Sequence, residues 1–163
     1  MKKLKIYLDT SFIGYLHQPT MPKEQKESLT LLEKIKQGEY DVFISDVVIK
    51  ETMRIGNAEV KRILLEYIAE INYTLIQTSE EAKEIADTVI SLGILTNKSY
   101  DDCLHIGNAI VSDCDVLVSW NFKHLVNIKT INGVRAISNL KGYKTLNIVQ
   151  PVMLIQGGED NDN

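Results

Sequence analysis

The sequence contains few of the residues that crosslink or interrupt small folds, with two cysteines and three prolines in 163 residues. Cys103 and Cys114 lack CxxC spacing, so we expect two buried thiols rather than a disulfide or a zinc site. Long hydrophobic runs are also missing. The basic N-terminus is followed by an apolar run that ends at Asp9, too soon for a signal peptide or a membrane span. We therefore expect a cytoplasmic protein with no membrane partner.

Acidic residues are missing from residues 116–158, although the whole chain carries a net charge of -4. This segment has a charge of +5, and its basic residues are Lys123, Lys129, Arg135, Lys141 and Lys144. Attraction to phosphate depends on local rather than net charge. The segment is therefore either a flank that binds a polyanion or an ordinary solvated surface, and the sequence leaves both interpretations open.

The glycine-rich and nucleophile motifs of several enzyme classes are missing as well. There is no G-x-S-x-G elbow, which disfavours a serine hydrolase, and no P-loop or dinucleotide-binding glycine pattern. A phosphatase with an aspartyl nucleophile normally has a D-x-D motif, but here the motif that begins at Asp9 has Ser11 in its third position. The sequence therefore disfavours all of these enzyme classes.

The hydrophobic content of 44% is enough for one sizeable core. We predict one domain over residues 1–156 and a polar tail over 157–163. Hydrophobic periodicity and turn residues predict strands over 4–8, 42–44, 73–76 and 116–119, and helices over 24–37, 45–51, 57–71, 78–93, 100–111 and 121–126. Residues 146–155 are predicted to be extended and broken by Pro151. Strands that alternate with helices indicate an α/β fold with a mostly parallel sheet.

Three carboxylates are the candidate site residues, because ligands of such sheets bind beyond the carboxyl ends of the strands. Asp9 directly follows the first strand, although it is equally suited to cap a helix with Thr10 and Ser11. Glu51 lies in the helix after the second strand. Asp102 shares a helical face with apolar residues, so its charge needs a partner, and no Lys or Arg has the spacing to provide one locally. A divalent cation would neutralise several carboxylates, and oxygen ligands favour Mg²⁺ or Mn²⁺ over zinc.

Four segments together resemble the PIN-domain family. They are Tyr7-Leu8-Asp9-Thr10-Ser11, Ile44-Ser45 leading to Glu51, Asp102 followed seven residues later by Ala109, and Asp115-Val116-Leu117-Val118-Ser119-Trp120-Asn121-Phe122. The resemblance covers residues 4–155. It implies a three-layer α/β/α sandwich and a metal-dependent nuclease, a family that includes the VapC-like toxins of toxin–antitoxin pairs. It further implies RNA as substrate, a homodimer and an antitoxin protein as partner.

The resemblance also implies roles for individual residues. Asp9, Glu51 and Asp102 match the first three acidic positions, which are catalytic and bind Mg²⁺ or Mn²⁺. Thr10 or Ser11 matches a polar position beside the first acid, and Ser119 matches a hydroxyl after the fourth strand. Asn121 stands where many members have a fourth Asp, so we expect it to be a weak ligand and a second metal to bind weakly. The implied reaction is in-line attack of water on an RNA phosphodiester.

Neighbouring residues have two interpretations each. Lys123 and His124 are placed to meet substrate phosphate or are simply an exposed helix end, and Asn121 is also suited to be a helix cap. His105, three residues after Asp102, fits a hydrogen-bonded packing role better than a metal ligand. Trp120 fits packing better than base stacking. The alternative function for the whole chain is a catalytically weak RNA-binding or protein-interaction module.

Overall fold

A five-stranded parallel sheet lies at the centre of the computed structural model, which describes residues 2–156. The strands are arranged in the order β3-β2-β1-β4-β5, and every neighbouring pair is parallel. Their bounds are β1 Leu4–Leu8, β2 Tyr40–Ser45, β3 Thr74–Ile76, β4 Val116–Val118 and β5 Asn147–Val149. The predicted mostly parallel sheet is confirmed.

Helices cover both faces of the sheet. They are α1 Thr10–Gly14, α2 Pro22–Lys36, α3 Asp46–Met53, α4 Ala58–Glu70, α5 Glu80–Ser91, α6 Tyr100–Val111, α7 Ile128–Leu140 and α8 Pro151–Gln156. Short 3-10 helices span Tyr15–His17 and Asn97–Ser99. One group of contacts joins α1 to α4 and α2 to α8, and another joins α5 to α6 and α7. This is the expected three-layer α/β/α sandwich. Within the described residues, no helix has both the length and the apolar character needed to cross a membrane.

The core consists of the central strands and the helix faces that pack on them. Ile6, Tyr7 and Leu8 of β1 are fully buried, and so are Leu117 and Val118 of β4. Continuous burial is typical of parallel strands covered on both faces, because both sets of alternating side chains meet helices. Polar groups that follow these strands are therefore anchored on a rigid support.

Most predicted helix boundaries are confirmed by their capping groups. Ser45 caps α3 by accepting a hydrogen bond from the backbone N–H of Val47, and Asn57 caps α4 in the same way. Gly38 follows α2 with a φ of 78°, a left-handed conformation that favours glycine. The helix predicted over 78–93 begins two residues later, because Ser79 caps α5, whereas the Thr78 hydroxyl donates to Asp46.

The C-terminal third differs most from the prediction. The predicted helix over 121–126 is a series of turns, in which the Asn121 carbonyl accepts hydrogen bonds from two following N–H groups. Helix α7 was not predicted at all. The predicted extended segment over 146–155 is a short strand, β5, followed by α8, which begins at Pro151 because proline needs no N–H at a helix start. The predicted tail, residues 157–163, lies outside the described residues.

The order of the strands reverses between β1 and β4, and this places two polar residues side by side. From β1 the chain continues outward to β2 and β3, whereas β4 and β5 lie on the other side of β1. Leu8 pairs with Val118 in the parallel register, so Asp9 and Ser119 are the next residues at the same edge. Such a switch in strand order opens a crevice at the carboxyl ends of the strands.

Helix α6, which carries Asp102, approaches α5 closely at Gly107. A Cβ atom at this position would overlap the carbonyl oxygen of Ala82. Glycine is therefore required for the two helices to pack at this distance. The contact fixes the helix that brings Asp102 and His105 to the site.

Candidate functional site

Asp9 lies at the switch in strand order and is almost fully buried, with 2% of its surface exposed. Its Oδ1 accepts hydrogen bonds from the Phe12 N–H at 2.9 Å and the Ser11 hydroxyl at 2.7 Å. Its Oδ2 accepts one from the Ser119 hydroxyl at 2.5 Å. Asp9 is thus the cap of α1, as one sequence interpretation held, and its hydrogen-bonding partners among the described residues are neutral groups.

Burial raises the pKa of Asp9, although the charge of His105 and the three hydrogen bonds partly oppose this shift. No Lys or Arg of the described chain forms an ion pair with it. An ionised carboxylate in this position lacks the compensating charge that buried ions normally have. A bound cation would supply a compensating charge at Asp9.

The hydroxyls of Ser11 and Ser119 join the ends of β1 and β4. Ser119 Oγ accepts the N–H of Asn121 at 2.9 Å while it donates to Asp9, and Ser11 Oγ accepts the N–H of Trp120 at 2.9 Å. Each hydroxyl therefore links the Asp9 carboxylate to the backbone that follows β4. Both serines were predicted from the sequence, and the structure brings both to Asp9.

Asp102 lies on the first turn of α6 and faces the turns that follow β4. Its Oδ2 is 2.9 Å from Nδ1 of His124 and 3.4 Å from the side-chain nitrogen of Asn121. The neighbouring Asp101 instead pairs with Arg54 at 3.4 Å on the surface. The structure therefore selects Asp102 over Asp101 as the acid in contact with Asn121 and His124.

Asn121 connects the two acids and also caps the turn. Its backbone N–H donates to Ser119, its amide nitrogen faces Asp102, and its Oδ1 accepts the N–H of His124 at 3.0 Å. A continuous series of hydrogen bonds thus leads from Asp9 through Ser119 and Asn121 to Asp102. Oδ1 accepts this one hydrogen bond, which leaves its second lone pair available to a ligand. Lys123, two residues later, is exposed.

Glu51 joins the site from α3 through a second set of contacts. Its Oε1 accepts the Thr10 hydroxyl at 2.7 Å and lies 2.6 Å from Nε2 of His105. Burial favours a higher pKa for Glu51, but the hydrogen bond and charge of His105, with the bond from Thr10, lower it overall. Glu51 is therefore held as a carboxylate by a histidine that the sequence did not identify as part of the site.

His105 is buried behind the three acids. Burial favours a lower pKa for this imidazole, but the hydrogen bond to Glu51 and the charges of Asp9, Glu51 and Asp102 outweigh it and raise the pKa. All three carboxylates are thus close enough to act on one side chain. The prediction of a hydrogen-bonded role for His105 agrees with these contacts. Its spacing from Asp102 was the only signal in the sequence.

The three acids do not form a compact cluster in this structure. Within residues 2–156, no three His, Cys, Asp or Glu side chains are grouped closely enough to hold one metal ion. Mg²⁺, however, typically keeps several waters and is bound through one or two carboxylates. Oε2 of Glu51 and Oδ1 of Asp102 form no hydrogen bond with any described group. The donors are hard oxygens with negative charge, so their chemistry fits a divalent cation.

Fold and site together define an α/β protein with hydrogen-bonded carboxylates near the switch in strand order at the carboxyl ends of the strands. The model of the PIN domain family matches residues 6–123, which is more than half of the chain, and the chain therefore belongs to the PIN domain family. PIN domains are generally nucleases, and they typically use divalent metal ions. No curated protein sequence gives a significant match.

Similarity to a solved structure agrees with this assignment at the level of the fold. A chain of VapBC2 from Rickettsia felis, crystallised bound to a DNA fragment from its promoter, superposes with a TM-score of 0.57 and 16% sequence identity. The match covers 90% of this chain and 98% of that chain. The PIN-like fold predicted from the sequence is thus confirmed.

Proposed function

We propose that the protein is a metal-dependent endoribonuclease that hydrolyses RNA phosphodiesters. The observation that carries the proposal is the buried Asp9 carboxylate at the switch in strand order. It is bonded only to neutral groups of the described chain and is linked through Ser119 and Asn121 to Asp102. Membership of a family of nucleases supports the same conclusion.

Asp9 and Asp102 hold a Mg²⁺ or Mn²⁺ ion in this proposal, and Glu51 contributes a further carboxylate. The bound ion supplies Lewis-acid activation of water and stabilises the charge that develops on the phosphate. Ser11 and Ser119 fix the orientation of Asp9 by donating to its two oxygens. Thr10 does the same for Glu51. Asn121 contributes an amide where many family members have a carboxylate, so one firmly held metal ion is expected.

Basic side chains that follow the site along the chain support a polyanionic substrate, and the resemblance to VapC-like toxins makes RNA the proposed one. Lys123 lies in the turns after Asn121, and Lys129 lies in the first turn of α7. Lys144, in contrast, pairs with Asp115, so its charge is already compensated. Only part of the basic segment is therefore free to bind phosphate. His124 contacts Asp102, and we propose that it meets the substrate phosphate.

The decisive experiment compares four proteins in metal binding and RNA cleavage. Calorimetry with Mn²⁺ is carried out on the wild type, Asp9→Asn, Asp102→Asn and Asn121→Asp, and the same proteins are tested for cleavage of labelled RNA. We expect binding and cleavage to be lost in the first two variants and binding to be tighter in the third. Binding and cleavage that are unchanged in Asp9→Asn and Asp102→Asn would show that these acids are only caps and surface charges.

A second candidate function is a catalytically weak module that binds RNA or a protein. Two observations favour it: Asn121 replaces an acid, and no three ligating side chains converge in the described part of the chain. RNA binding that persists without metal, with no cleavage at any Mn²⁺ or Mg²⁺ concentration, would support this function over the nuclease.

An antitoxin protein is the proposed partner, and a homodimer the proposed assembly. The supporting observation is the similarity in fold to a chain of a VapBC2 complex. The partner is expected to cover the carboxylate crevice and to inhibit cleavage. Growth arrest on expression of the protein, relieved by Asp9→Asn, would support a toxin, whereas normal growth with active enzyme would argue against this role.

A further inference from the structure

A series of hydrogen-bonded, buried polar side chains leads from the end of β2 through β1 to Glu51. Ser45 Oγ is 2.7 Å from the hydroxyl of Tyr7, and this hydroxyl is 2.6 Å from Nδ1 of His105. Nε2 of the same imidazole is 2.6 Å from Oε1 of Glu51. Ser45, Tyr7 and His105 are each at most 1% exposed. The series therefore connects the ends of β2 and β1 to an acid of the candidate site, with no access for bulk water.

The hydrogen atoms along this series can be assigned from its Glu51 end, because an ionised carboxylate only accepts and Nε2 of His105 must therefore carry the proton between them. Ser45 Oγ accepts the N–H of Val47 at 3.2 Å, so its own proton is available to Tyr7. Tyr7 then donates to Nδ1, and the Nε2–H of His105 donates to Glu51. If the imidazole is protonated, Nδ1–H donates to Tyr7 and the bond from Nε2–H to Glu51 is unchanged. In both states His105 donates to the same carboxylate oxygen.

The two oxygens of Glu51 consequently differ. Oε1 accepts from both Thr10 and His105, whereas Oε2 accepts from no group in the described part of the chain. A flexible glutamate is in this way fixed through one oxygen while the other stays free to bind. Some residues hydrogen-bond to a metal ligand and thereby fix its orientation. Removing such a residue commonly weakens metal affinity 10–100-fold.

We propose that His105 is a positioning residue that holds Glu51 through Oε1 so that Oε2 is presented to the metal ion, and that Tyr7 and Ser45 fix the imidazole in this orientation. The inference rests on the proposed function, since it assigns the bound cation to the same site. The competing explanation is that His105 only fills the core with its hydrogen bonds satisfied.

Mn²⁺ affinity separates the two explanations, because a packing role does not change it. Calorimetry is carried out on the wild type, His105→Leu, His105→Gln and Tyr7→Phe, with thermal unfolding of each metal-free protein. We expect the Mn²⁺ dissociation constant to rise roughly 10–100-fold in His105→Leu. It should rise less in His105→Gln, which retains an N–H donor for Glu51, and by a few-fold in Tyr7→Phe, where the imidazole loses its anchor.

Matched controls remove similar groups elsewhere. Tyr40→Phe deletes a tyrosine hydroxyl at the start of β2, and Ser138→Ala deletes a buried hydroxyl that bonds within α7. Both should bind Mn²⁺ like the wild type. If His105→Leu fails to fold, His105→Gln and Tyr7→Phe still provide the comparison, because each retains most of the original side chain.

The outcomes distinguish this inference from the proposed function. Wild-type affinity in all three variants, with Mn²⁺ binding still lost in Asp9→Asn, would overturn the role of His105 and leave the nuclease proposal standing. No Mn²⁺ binding by the wild type would overturn both. Weaker binding in the His105 and Tyr7 variants, with the two controls unchanged, would establish the positioning role.

Discussion

The two ends of the sheet stabilise their carboxylates in different ways. At the amino end, Asp115 precedes β4, pairs with the ammonium group of Lys144 and accepts the backbone N–H of Lys5 at 2.8 Å. At the carboxyl end, Asp9 accepts hydrogen bonds from two hydroxyls and one N–H. Both acids are held in place, but only Asp115 has a lysine or arginine in contact with it.

The pKa values of Asp9 and Asp115 are shifted in opposite directions. Burial favours a higher pKa at both positions. At Asp115 the hydrogen bonds and charges of Lys144 and Lys5 reverse the effect, so the pKa is lowered. At Asp9 the effect of burial prevails and the pKa is raised. Asp115 is neutralised by the chain itself, whereas Asp9, the proposed metal ligand, has no lysine or arginine in contact with it.

The largest expected effect follows from removing the uncompensated charge. Asp9→Asn preserves the size and one oxygen acceptor of the side chain but removes the negative charge that we assign to metal binding. We expect RNA cleavage to fall by a factor on the order of 100 or more, measured as the initial rate with labelled RNA and saturating Mn²⁺. Asp115→Asn is the matched control and should retain cleavage within about twofold. Equal loss in both variants would remove the functional distinction between the two ends.

The place of Asp9 at the carboxyl edge of the sheet followed from the sequence more readily than the contacts of the candidate site. Asp9 directly follows an apolar run, and in a parallel sheet such a residue must lie at the carboxyl edge, so local information was sufficient. The bond between Tyr7 and His105 joins residues 98 positions apart. It depends on how α6 packs on the sheet, which one sequence without aligned relatives does not reveal.

The fold was predicted best where apolar periodicity was strong. Helix α6 was predicted with its observed bounds, whereas α7 was missed. Ile131, Val134 and Ile137 of α7 do have helical spacing, and Asn127 caps the helix. Asn132 and Gly133 interrupt that pattern with residues of low helix propensity. Packing compensates for Gly133, which lies so close to Ile94 that a Cβ atom would meet its side chain at 2.6 Å.

A second prediction concerns a substitution that adds a carboxylate at the carboxyl end of the sheet. Asn121→Asp replaces the amide nitrogen that faces Asp102 with a carboxylate oxygen, which repels Asp102 in the absence of metal and attracts a cation. We expect the Mn²⁺ dissociation constant to fall about tenfold, equivalent to about 1.4 kcal/mol, and the melting temperature of the metal-free protein to fall. Asn127→Asp is the control, because an aspartate suits the cap of α7 equally well. Unchanged affinity in Asn121→Asp would place the metal away from this residue.

A third prediction contrasts the two acids by pH. The folded-state pKa of Asp115 is lowered, so its stabilising contribution is present above its unfolded value of about 3.9 and is lost as pH falls through the folded value. The folded-state pKa of Asp9 is raised, so its contribution is present at low pH and is lost as pH rises through that value. Relative to wild type, Asp115→Asn should therefore lose about 1 kcal/mol at pH 6 and less near pH 3. Asp9→Asn should gain stability over the same rise in pH.

Chemical denaturation of the metal-free proteins at pH 3, 4, 5 and 6 measures both trends. The comparison between wild type and each variant cancels the titration of all other groups. Trends of the same sign for Asp9→Asn and Asp115→Asn would mean that the two carboxylates are compensated alike. The contrast between the ends of the sheet would then be wrong.

The smallest effect on stability is expected when Lys144, the lysine that pairs with Asp115, is replaced. The Lys144 side chain is 44% exposed, so solvent screens its attraction to Asp115, and the hydrogen bond from the Lys5 N–H remains when the lysine is removed. Lys144→Met should therefore lower the free energy of unfolding only slightly at low salt, with a still smaller loss at about 1 M salt, where screening is strong. A loss as large as that in Asp115→Asn would show that the ammonium group, rather than the backbone N–H, provides most of the compensation at this end of the sheet.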